Sequence, residues 1–289
     1  MSSIIIVIPY FGNWPFWINV FLASCAKNQS VDFLLLGDCG RPDYLPANVK
    51  FEEVSFIDYK KRVARALGIT FDPLVAYKLC DIKPMLGKIH EQDISGYDFW
   101  GFGDLDLVYG DLRAVYTEDL LSKYDLISNH ATRVSGHLCL IRNTQFMREV
   151  YQKVPGWQEK IESQKHVAFD EKAFSKLFVK HKNFPKILRR LFNVFYPLSR
   201  KSYFVENYTT PNGCITWRDG SSKFPKKWYW SNGSIKNDLD DETCYPYFHF
   251  AVWKKKYWVG NEFDRLEKID LTCIYEFSSE GIRAVQCNE

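Results

Sequence analysis

The fold is decided by the stretch Tyr97-Asp98-Phe99-Trp100-Gly101-Phe102-Gly103-Asp104-Leu105-Asp106. Residues 97–103 are mostly aromatic or small and predict a buried strand, which runs directly into two aspartates. In an extended chain, residues two apart point the same way, so the carboxylates of Asp104 and Asp106 can reach one hard cation. Gly101 and Gly103 allow a ligand to approach the backbone closely. The stretch therefore predicts a strand that ends in a site for a divalent ion and phosphate oxygens.

Strand and helix patterns alternate through the hundred residues before this stretch. Strands are predicted at 4–8, 32–36 and 49–56, and helices at 14–27, 60–67 and 77–92. This alternation indicates an α/β domain with a largely parallel sheet. Ligands of such sheets bind at the carboxyl ends of the strands, which is where the two aspartates lie. Beyond them, short strands are predicted at 125–128 and 137–141 and helices at 146–153 and 170–179.

Charge is balanced overall but unevenly distributed. The chain has 289 residues, with 38 Lys and Arg against 35 Asp and Glu, and 46% of its residues are hydrophobic. This composition excludes a disordered chain and argues against a protein built wholly around a polyanion. Residues 172–205, however, contain nine Lys or Arg and no acidic residue. A solvated helix, an interfacial helix and a nucleic-acid contact all fit this segment; we expect contact with an anionic membrane and no nucleic-acid partner.

Cysteine usage and the N-terminus predict a cytoplasmic protein, at most peripheral on the inner membrane face. The cysteines lack close metal-type spacing, and we expect reduced thiols rather than a disulfide framework. They are Cys25, Cys39, Cys80, Cys139, Cys214, Cys244, Cys273 and Cys287. The apolar run at the N-terminus has no basic leader and ends at Pro9, which favours a buried strand over a signal peptide. No segment has the length needed to cross a bilayer.

Several segments of the chain resemble the metal-dependent GT-A glycosyltransferases. They are the opening strand Ile4–Pro9, residues 102–106, residues 136–143, the pair Asp170-Glu171, and Tyr247-Phe248-His249-Phe250. The pattern looks most like bacterial enzymes that build surface polysaccharides such as O-antigen, lipopolysaccharide or capsule. The resemblance implies an α/β fold with a GT-A-like, Rossmann-type mixed sheet flanked by helices. A basic helical segment and an aromatic-rich C-terminal part would complete this fold.

The resemblance also implies a metal site. In that family the DxD motif binds Mn²⁺ or Mg²⁺, which bridges the diphosphate of a nucleotide-sugar donor, and a late histidine often completes the metal shell. Here the ligands would be Asp104, Asp106 or both, with His249. Lys254 and Lys255 resemble the basic residue that grips the diphosphate in some members. A histidine among aromatic residues is also an ordinary core or surface residue.

Further residues are candidates for binding the nucleotide. They are Pro9, Tyr10, Phe11 and Asn13 after the first strand, Asp38 after the second, and Lys78 and Lys83 on the helix before the DxD motif. The first group could stack on and hydrogen-bond a base, and Asp38 could accept hydrogen bonds from a uracil or ribose. The two lysines could face the diphosphate. Ordinary turn chemistry and solvent-exposed helical lysines are the alternative interpretations.

Asp170 and Glu171 are the candidate catalytic residues. An inverting transferase needs a carboxylate to deprotonate the acceptor hydroxyl as it attacks the anomeric carbon, and Asp170 is the first choice for that base. In a retaining enzyme the pair would orient the sugar instead. Both residues begin a predicted helix, where carboxylates are favoured by the helix dipole alone.

The expected function is sugar transfer from a nucleotide diphosphate donor to an oligosaccharide or lipid-linked saccharide. The donor expected is a UDP-sugar, with the UDP-galactose type as a candidate. Residues 1–262 would form the catalytic domain, with a nucleotide-sugar-binding half at 1–110, an acceptor half at 111–262 and a tail at 263–289. A sugar nucleotidyltransferase is an alternative, but residues 9–13 lack its Gly-rich basic loop. A non-catalytic nucleotide-sugar-binding protein is another.

Aromatic residues near the C-terminus have two interpretations. They cluster with Gly, Ser and Asn in loop-like sequence, and they include Trp217, Trp228, Tyr229 and Trp230. Most aromatic side chains belong to a core. We expect some of this cluster to offer a flat face to a sugar ring.

Overall fold

The computed structural model describes residues 1–179, 195–213, 215–261, 263 and 265–287, together with residues 185, 187, 188 and 191. Much of the basic segment predicted to contact a membrane, including Lys182 and Arg189, lies outside the described residues. Cys214 lies outside them as well. None of the helices that the described residues form combines the length and apolarity needed to cross a bilayer.

A mixed sheet forms the centre of the fold. The strands of this sheet and of the smaller sheets are, in chain order, β1 (Ile4–Pro9), β2 (Val31–Gly37), β3 (Val49–Glu53), β4 (Phe99–Gly103), β5 (Leu107–Tyr109), β6 (Leu126–Ser128), β7 (Leu138–Arg142), β8 (Ser202–Phe204), β9 (Trp228–Ser231), β10 (Ser234–Asn237), β11 (Tyr247–His249), β12 (Cys273–Ser278) and β13 (Gly281–Cys287). Within the described chain the central sheet has seven strands in the order β3-β2-β1-β4-β7-β6-β8. The predicted α/β class with a mixed sheet is confirmed.

Helices flank the sheet. The α-helices are α1 (Ile18–Ala26), α2 (Phe56–Leu67), α3 (Leu86–Ile89), α4 (Leu112–Val115), α5 (Glu118–Lys123), α6 (Gln145–Glu149), α7 (Trp157–Glu162), α8 (Ser175–Phe178), α9 (Pro197–Arg200) and α10 (Ala251–Trp253). Short 3₁₀ segments span Ala76–Met85 and Val150–Lys153, and π-helical turns span Asp170–Phe174 and Lys254–Trp258. The single helix predicted at 77–92 is therefore wrong in type. Pro84 lies inside it and has no N–H to donate, which disfavours a continuous α-helix.

Helix α2 shows how local sequence sets the ends of an element. The Ser55 side chain accepts a hydrogen bond from the N–H of Asp58, which caps the first turn. Gly68 ends the helix with φ +65°, a left-handed conformation that glycine adopts without strain. The helix thereby begins four residues earlier than the sequence pattern at 60–67 predicts.

Strand β1 is buried on both faces. Ile5 and Val7 pack into the core on one side of the sheet, and Ile4, Ile6 and Ile8 pack into the core on the other. A strand without a solvent face requires helices on both sides, which is why its sequence is a continuous apolar run. β1 therefore lies at the centre of the sheet, between β2 and β4.

The pairing of the strands changes from parallel to antiparallel at β4. β4 runs parallel to β1 on one side and antiparallel to β7 on the other, with Gly103 opposite Leu138. The N–H of Asp104 donates to the carbonyl of His137 over 3.0 Å. The carboxyl ends of β1 and β4 and the start of β7 therefore meet at one edge.

A second sheet brings the C-terminal part of the chain to the same edge. It has the antiparallel order β10-β9-β12-β13, while β11 pairs with β5 and sets His249 opposite Leu107. Residues 263–289, assigned to a tail from the sequence, thus contribute β12 and β13 to this sheet. Trp217, Trp228 and Trp230 are buried in its core, so these three side chains do not offer a face to a sugar ring, whereas Tyr229 is half-buried.

Two cysteines are not free thiols. Cys273 and Cys287 form a disulfide across β12 and β13, so the prediction of reduced thiols is wrong for this pair. The two residues are 14 apart in sequence, and the hairpin register places them opposite one another. Among the described residues the free cysteines are Cys25, Cys39, Cys80, Cys139 and Cys244.

A buried ion pair ties the Ala76–Met85 segment to the chain before the first π-helical turn. The Lys78 ammonium lies 2.9 Å from the carboxylate of Asp81, and both side chains are at most 1% exposed. Lys78 also donates to the carbonyl groups of Lys160 and Lys165, each over 2.8 Å. Asp81 accepts from the backbone N–H of Phe169 over 2.9 Å. The pair therefore stabilises the loop that leads into the candidate catalytic residues.

We expect Asp81→Ala to lower the free energy of unfolding by about 3–5 kcal/mol, because the Lys78 charge would stay buried without its partner. Urea unfolding followed by circular dichroism measures the change. Asp72→Ala is the control, since Asp72 pairs with Lys60 at the surface and its side chain is 76% exposed. The free energy of unfolding of this control variant should fall by less than about 1 kcal/mol. Equal losses in the two variants would contradict the structural role of Asp81.

Candidate functional site

A cleft of about 520 Å³ opens at the carboxyl ends of β1 and β4. Its walls come from six separate parts of the chain, and most of the residues singled out from the sequence line it. These are Pro9, Tyr10, Phe11, Lys83, Asp104, Asp106, Asp170, Glu171, His249, Lys254 and Lys255. The position agrees with the general location of ligand sites in α/β sheets.

Asp104, Asp106 and His249 form a group that could hold a metal ion. Each residue offers one ligand atom, and these atoms lie within 4.8 Å of one another. The Oδ1 atom of Asp106 is buried and has no hydrogen-bond partner among the described residues. A buried acceptor without a partner is costly unless another ligand satisfies it. Two carboxylates and an imidazole suit Mn²⁺ or Mg²⁺, so the residues fit a divalent cation.

Neighbouring side chains orient His249 toward the acidic pair. Its Nδ1 atom is 3.0 Å from the hydroxyl of Thr210, and its Nε2 atom is 3.5 Å from Oδ1 of Asp106. Its ring stacks on that of His137 with 4.2 Å between centroids. Burial and the neighbouring His249 hold the pKa of His137 well below the ordinary value. His137 is therefore a neutral support for His249.

Two lysines contact the acidic pair. Lys83 forms an ion pair with Asp104 and donates to the carbonyl of Gly136 over 2.7 Å. Lys254 lies 2.5 Å from Oδ2 of Asp106. Burial alone would raise the pKa of Asp106, but the imidazole of His249 and the ammonium of Lys254 hold this pKa well below its ordinary value. Asp106 is therefore ionised at neutral pH.

Asp170 and Glu171 line the same cleft as the triad and lie at the start of a π-helical turn. Asp170 is only 3% exposed, and its burial raises its pKa to about 7. A carboxyl group that titrates near neutrality is suited to accept a proton in catalysis. Glu171 instead faces Arg133, with 3.6 Å between Oε2 and the guanidinium Nε.

Gly136 makes room for the Asp170 carboxylate. A Cβ atom at position 136 would lie 2.7 Å from Oδ2 of Asp170 and 3.3 Å from Oε1 of Glu171. These distances leave no space for a larger residue unless the carboxylates move. The small residue before β7 is therefore part of the site.

Three sequence candidates do not line the cleft. Lys78 belongs to the buried pair with Asp81. Asp38 accepts a hydrogen bond from the N–H of Gly12 over 2.8 Å, and the carbonyl of Asn13 accepts one from the Tyr10 hydroxyl over 3.1 Å. Asp38 and Asn13 thus shape the loop after β1.

Sequence reasoning missed His137, Tyr77 and His166 as lining residues. Tyr77 is 57% exposed, and its ring packs edge-on against His166 with 4.8 Å between centroids. His137 reaches the site because β7 pairs with β4. No local pattern marks these residues, since each contact joins distant parts of the chain.

Residues 6–272 match the sequence profile of DUF6625, a family of unknown function, and the chain belongs to that family. No curated protein sequence matches the chain.

Three solved structures are similar to this chain at low identity. Glycosyltransferase GlyE from Streptococcus pneumoniae TIGR4 is 13% identical over 72% of this chain, with a TM-score of 0.37, and the match covers 46% of the GlyE chain. Galactosyltransferase LgtC, in complex with donor and acceptor sugar analogues, is 10% identical with a TM-score of 0.40 and covers 86% of this chain and 87% of its own. Mouse xyloside xylosyltransferase 1 in its apo form is 10% identical with a TM-score of 0.42, and the match covers 86% of this chain and 97% of the xylosyltransferase chain. These likenesses assign no activity to this chain.

The raised pKa of Asp170 predicts a pH-dependent stability. The folded protein keeps a proton on Asp170 where the unfolded chain has lost it. The contribution of this proton to the free energy of unfolding is full below about pH 4, where an unperturbed aspartate is also protonated. It is lost as pH rises through about 7. Relative to Asp170→Asn, we expect the wild type to lose up to ~1.4 kcal/mol of unfolding free energy per pH unit across this window.

Urea unfolding of both proteins between about pH 4 and 8 measures this difference. The other titrating groups are common to the two proteins, so only the Asp170 contribution remains in the difference. Stability curves that run parallel over the whole window would contradict the raised pKa.

Proposed function

We propose that this protein is a metal-dependent glycosyltransferase of the GT-A type. It would transfer a sugar from a nucleotide diphosphate donor to a saccharide acceptor. The observation that carries the proposal is one cleft lined by two different kinds of acidic group. An Asp-Asp-His triad lies at the end of β4, and a buried carboxyl group with a pKa of about 7 faces the same space.

The triad side of the cleft would bind the donor. Asp104, Asp106 and His249 would hold Mn²⁺ or Mg²⁺, which when bound offsets the charge that develops on the leaving diphosphate. Lys254 and Lys255 line the same wall and add positive charge for the diphosphate. These cationic side chains favour a donor with two phosphates over a neutral sugar.

The loop after β1 would form the nucleotide wall, and we propose a UDP-linked donor of the UDP-galactose type. The Tyr10 ring stacks on Trp14 with 5.7 Å between centroids and 7° between planes. Phe11 packs against Phe56 and Tyr59 at 5.1 Å and 5.2 Å. These contacts hold the loop and leave Tyr10, which is half-buried, as the side chain best placed to meet a base.

The Asp170 side would bind and activate the acceptor. The hydroxyl oxygen of the acceptor attacks the anomeric carbon, its proton passes to the Asp170 carboxylate, and the nucleoside diphosphate leaves. Attack from the face opposite the leaving group inverts the configuration. The exposed ring of Tyr77 at this side offers a surface on which a sugar ring can pack.

The setting of the reaction is proposed on the sequence resemblance. We propose a role in bacterial surface polysaccharide synthesis, such as O-antigen or lipopolysaccharide, with an oligosaccharide or lipid-linked acceptor. A cytoplasmic location on the inner membrane face, reached through 172–205, fits the absence of acidic residues from that segment. The free thiols at Cys25 and Cys139 are compatible with a reducing compartment, whereas the Cys273–Cys287 disulfide is more typical of an oxidising one.

We expect Asp106→Asn to lower sugar transfer at least about 100-fold and to abolish its dependence on Mn²⁺, because the triad loses a charged ligand. Release of UDP from UDP-galactose in the presence of a saccharide acceptor measures the activity. Asp43→Asn is the matched control, since Asp43 is exposed and does not line the cleft. Full activity of Asp106→Asn in a chelator would contradict the proposal.

We expect Asp170→Asn to reduce kcat by about 10²–10⁴-fold, because the amide cannot accept the acceptor proton. The affinity for the donor should be unchanged in Asp170→Asn. Glu171→Gln should reduce kcat by a smaller factor. In the wild type, kcat should rise as pH increases through about 7, since only the ionised carboxylate is a base. The pH profile of kcat with a saturating acceptor tests this. An unchanged profile in Asp170→Asn would exclude Asp170 as the base.

A further inference from the structure

Two ammonium groups already lie on the carboxylates that the proposed cation would use. Lys83 pairs with Asp104 through Oδ1, and the Lys254 Nζ lies 2.5 Å from Oδ2 of Asp106. Two positive charges therefore offset two negative ones at this end of the cleft. A divalent cation that arrives alone finds no net negative charge and must compete with an ammonium group for a carboxylate oxygen.

The two lysines differ in how firmly they are held. The Lys83 side chain is 10% exposed, and its Nζ also donates to the carbonyl of Gly136 over 2.7 Å. The Lys254 side chain is 37% exposed and begins the second π-helical turn, with its Nζ 6.0 Å from the ring centroid of Trp17. Lys83 is thus fixed by two partners, whereas Lys254 has room to leave Asp106.

A diphosphate changes this balance. Its oxygens complete the coordination of a hard cation, which protein carboxylates alone leave partly filled. The same oxygens offer the Lys254 ammonium a new partner at the cleft wall, since Lys254 lines the space beside Asp106. The departure of Lys254 then frees Oδ2 of Asp106 beside Oδ1, which accepts no hydrogen bond and lies 3.5 Å from His249 Nε2.

We propose that Lys254 is a built-in counter-cation for Asp106, so that the site binds a divalent cation and a diphosphate together and the cation alone weakly. The inference rests on the proposed function, because it assumes the Asp104-Asp106-His249 cation site and a diphosphate donor. Coupling of this kind is reciprocal, so each ligand must raise the affinity for the other by the same factor.

Calorimetric titration of the full chain with Mn²⁺, with and without saturating UDP, tests the coupling. In the wild type we expect Mn²⁺ to bind about 10- to 100-fold more tightly when UDP is present. In Lys254→Met, Mn²⁺ alone should bind about tenfold more tightly than to the wild type, and UDP should raise the Mn²⁺ affinity by a smaller factor than in the wild type, because only the direct contact between cation and diphosphate remains. Lys254→Gln provides a second neutral variant, and circular dichroism verifies that each variant is folded.

Lys256→Met is the matched control. It removes the same charge two residues further on, where the ammonium lies 4.9 Å from the ring centroid of Tyr257. It should keep the wild-type pattern of Mn²⁺ binding.

Equal Mn²⁺ affinity of the wild type with and without UDP would overturn the inference. An unchanged Mn²⁺ affinity in both neutral variants would overturn it as well. In either case the proposed function stands if Asp106→Asn still abolishes Mn²⁺ binding. If the wild type binds Mn²⁺ in neither condition, the inference and the metal-dependent function both fail.

Discussion

The position of β4 between a parallel and an antiparallel neighbour is the constraint on which the rest of the structure depends. Because β4 runs parallel to β1, the loops that follow the two strands leave the same edge of the sheet. Because it runs antiparallel to β7, the residues that precede β7 reach that edge from the opposite direction. A third contact, between β5 and β11, adds His249. The pairing of these strands thus brings the loop after β1, the acidic pair, His137 and His249 to one edge of the sheet.

Charge pairing within a buried environment gives the cleft its chemical asymmetry. Asp106 and Asp170 have nearly the same burial, at 5% and 3% exposure. Asp106 has Lys254 and His249 at its oxygens, and its pKa is held well below the ordinary value. Asp170 has no cation within ion-pair distance among the described residues, and burial raises its pKa to about 7. One carboxylate is therefore suited to hold a cation and the other to exchange a proton.

Errors in the sequence predictions have specific physical causes. The helical pattern at 77–92 contains Pro84, and the structure replaces most of it with a 3₁₀ segment. Lys78 looks like an exposed helical lysine, but this segment turns it toward Asp81. Trp228 and Trp230 lie among polar residues in sequence, although alternate residues of β9 face a buried core. In each case the neighbours that decide the outcome are far away in the chain.

The sequence by itself determined the α/β class and the acidic pair at a strand end, because apolar periodicity and the strand-end position of polar residues are local properties. Most of the residues that the sequence singled out also line the cleft. Only the tertiary structure decided that Asp170 is buried beside Gly136, that His137 supports His249, and that Cys273 faces Cys287. These features depend on strand register and on contacts between distant segments, which no local pattern encodes.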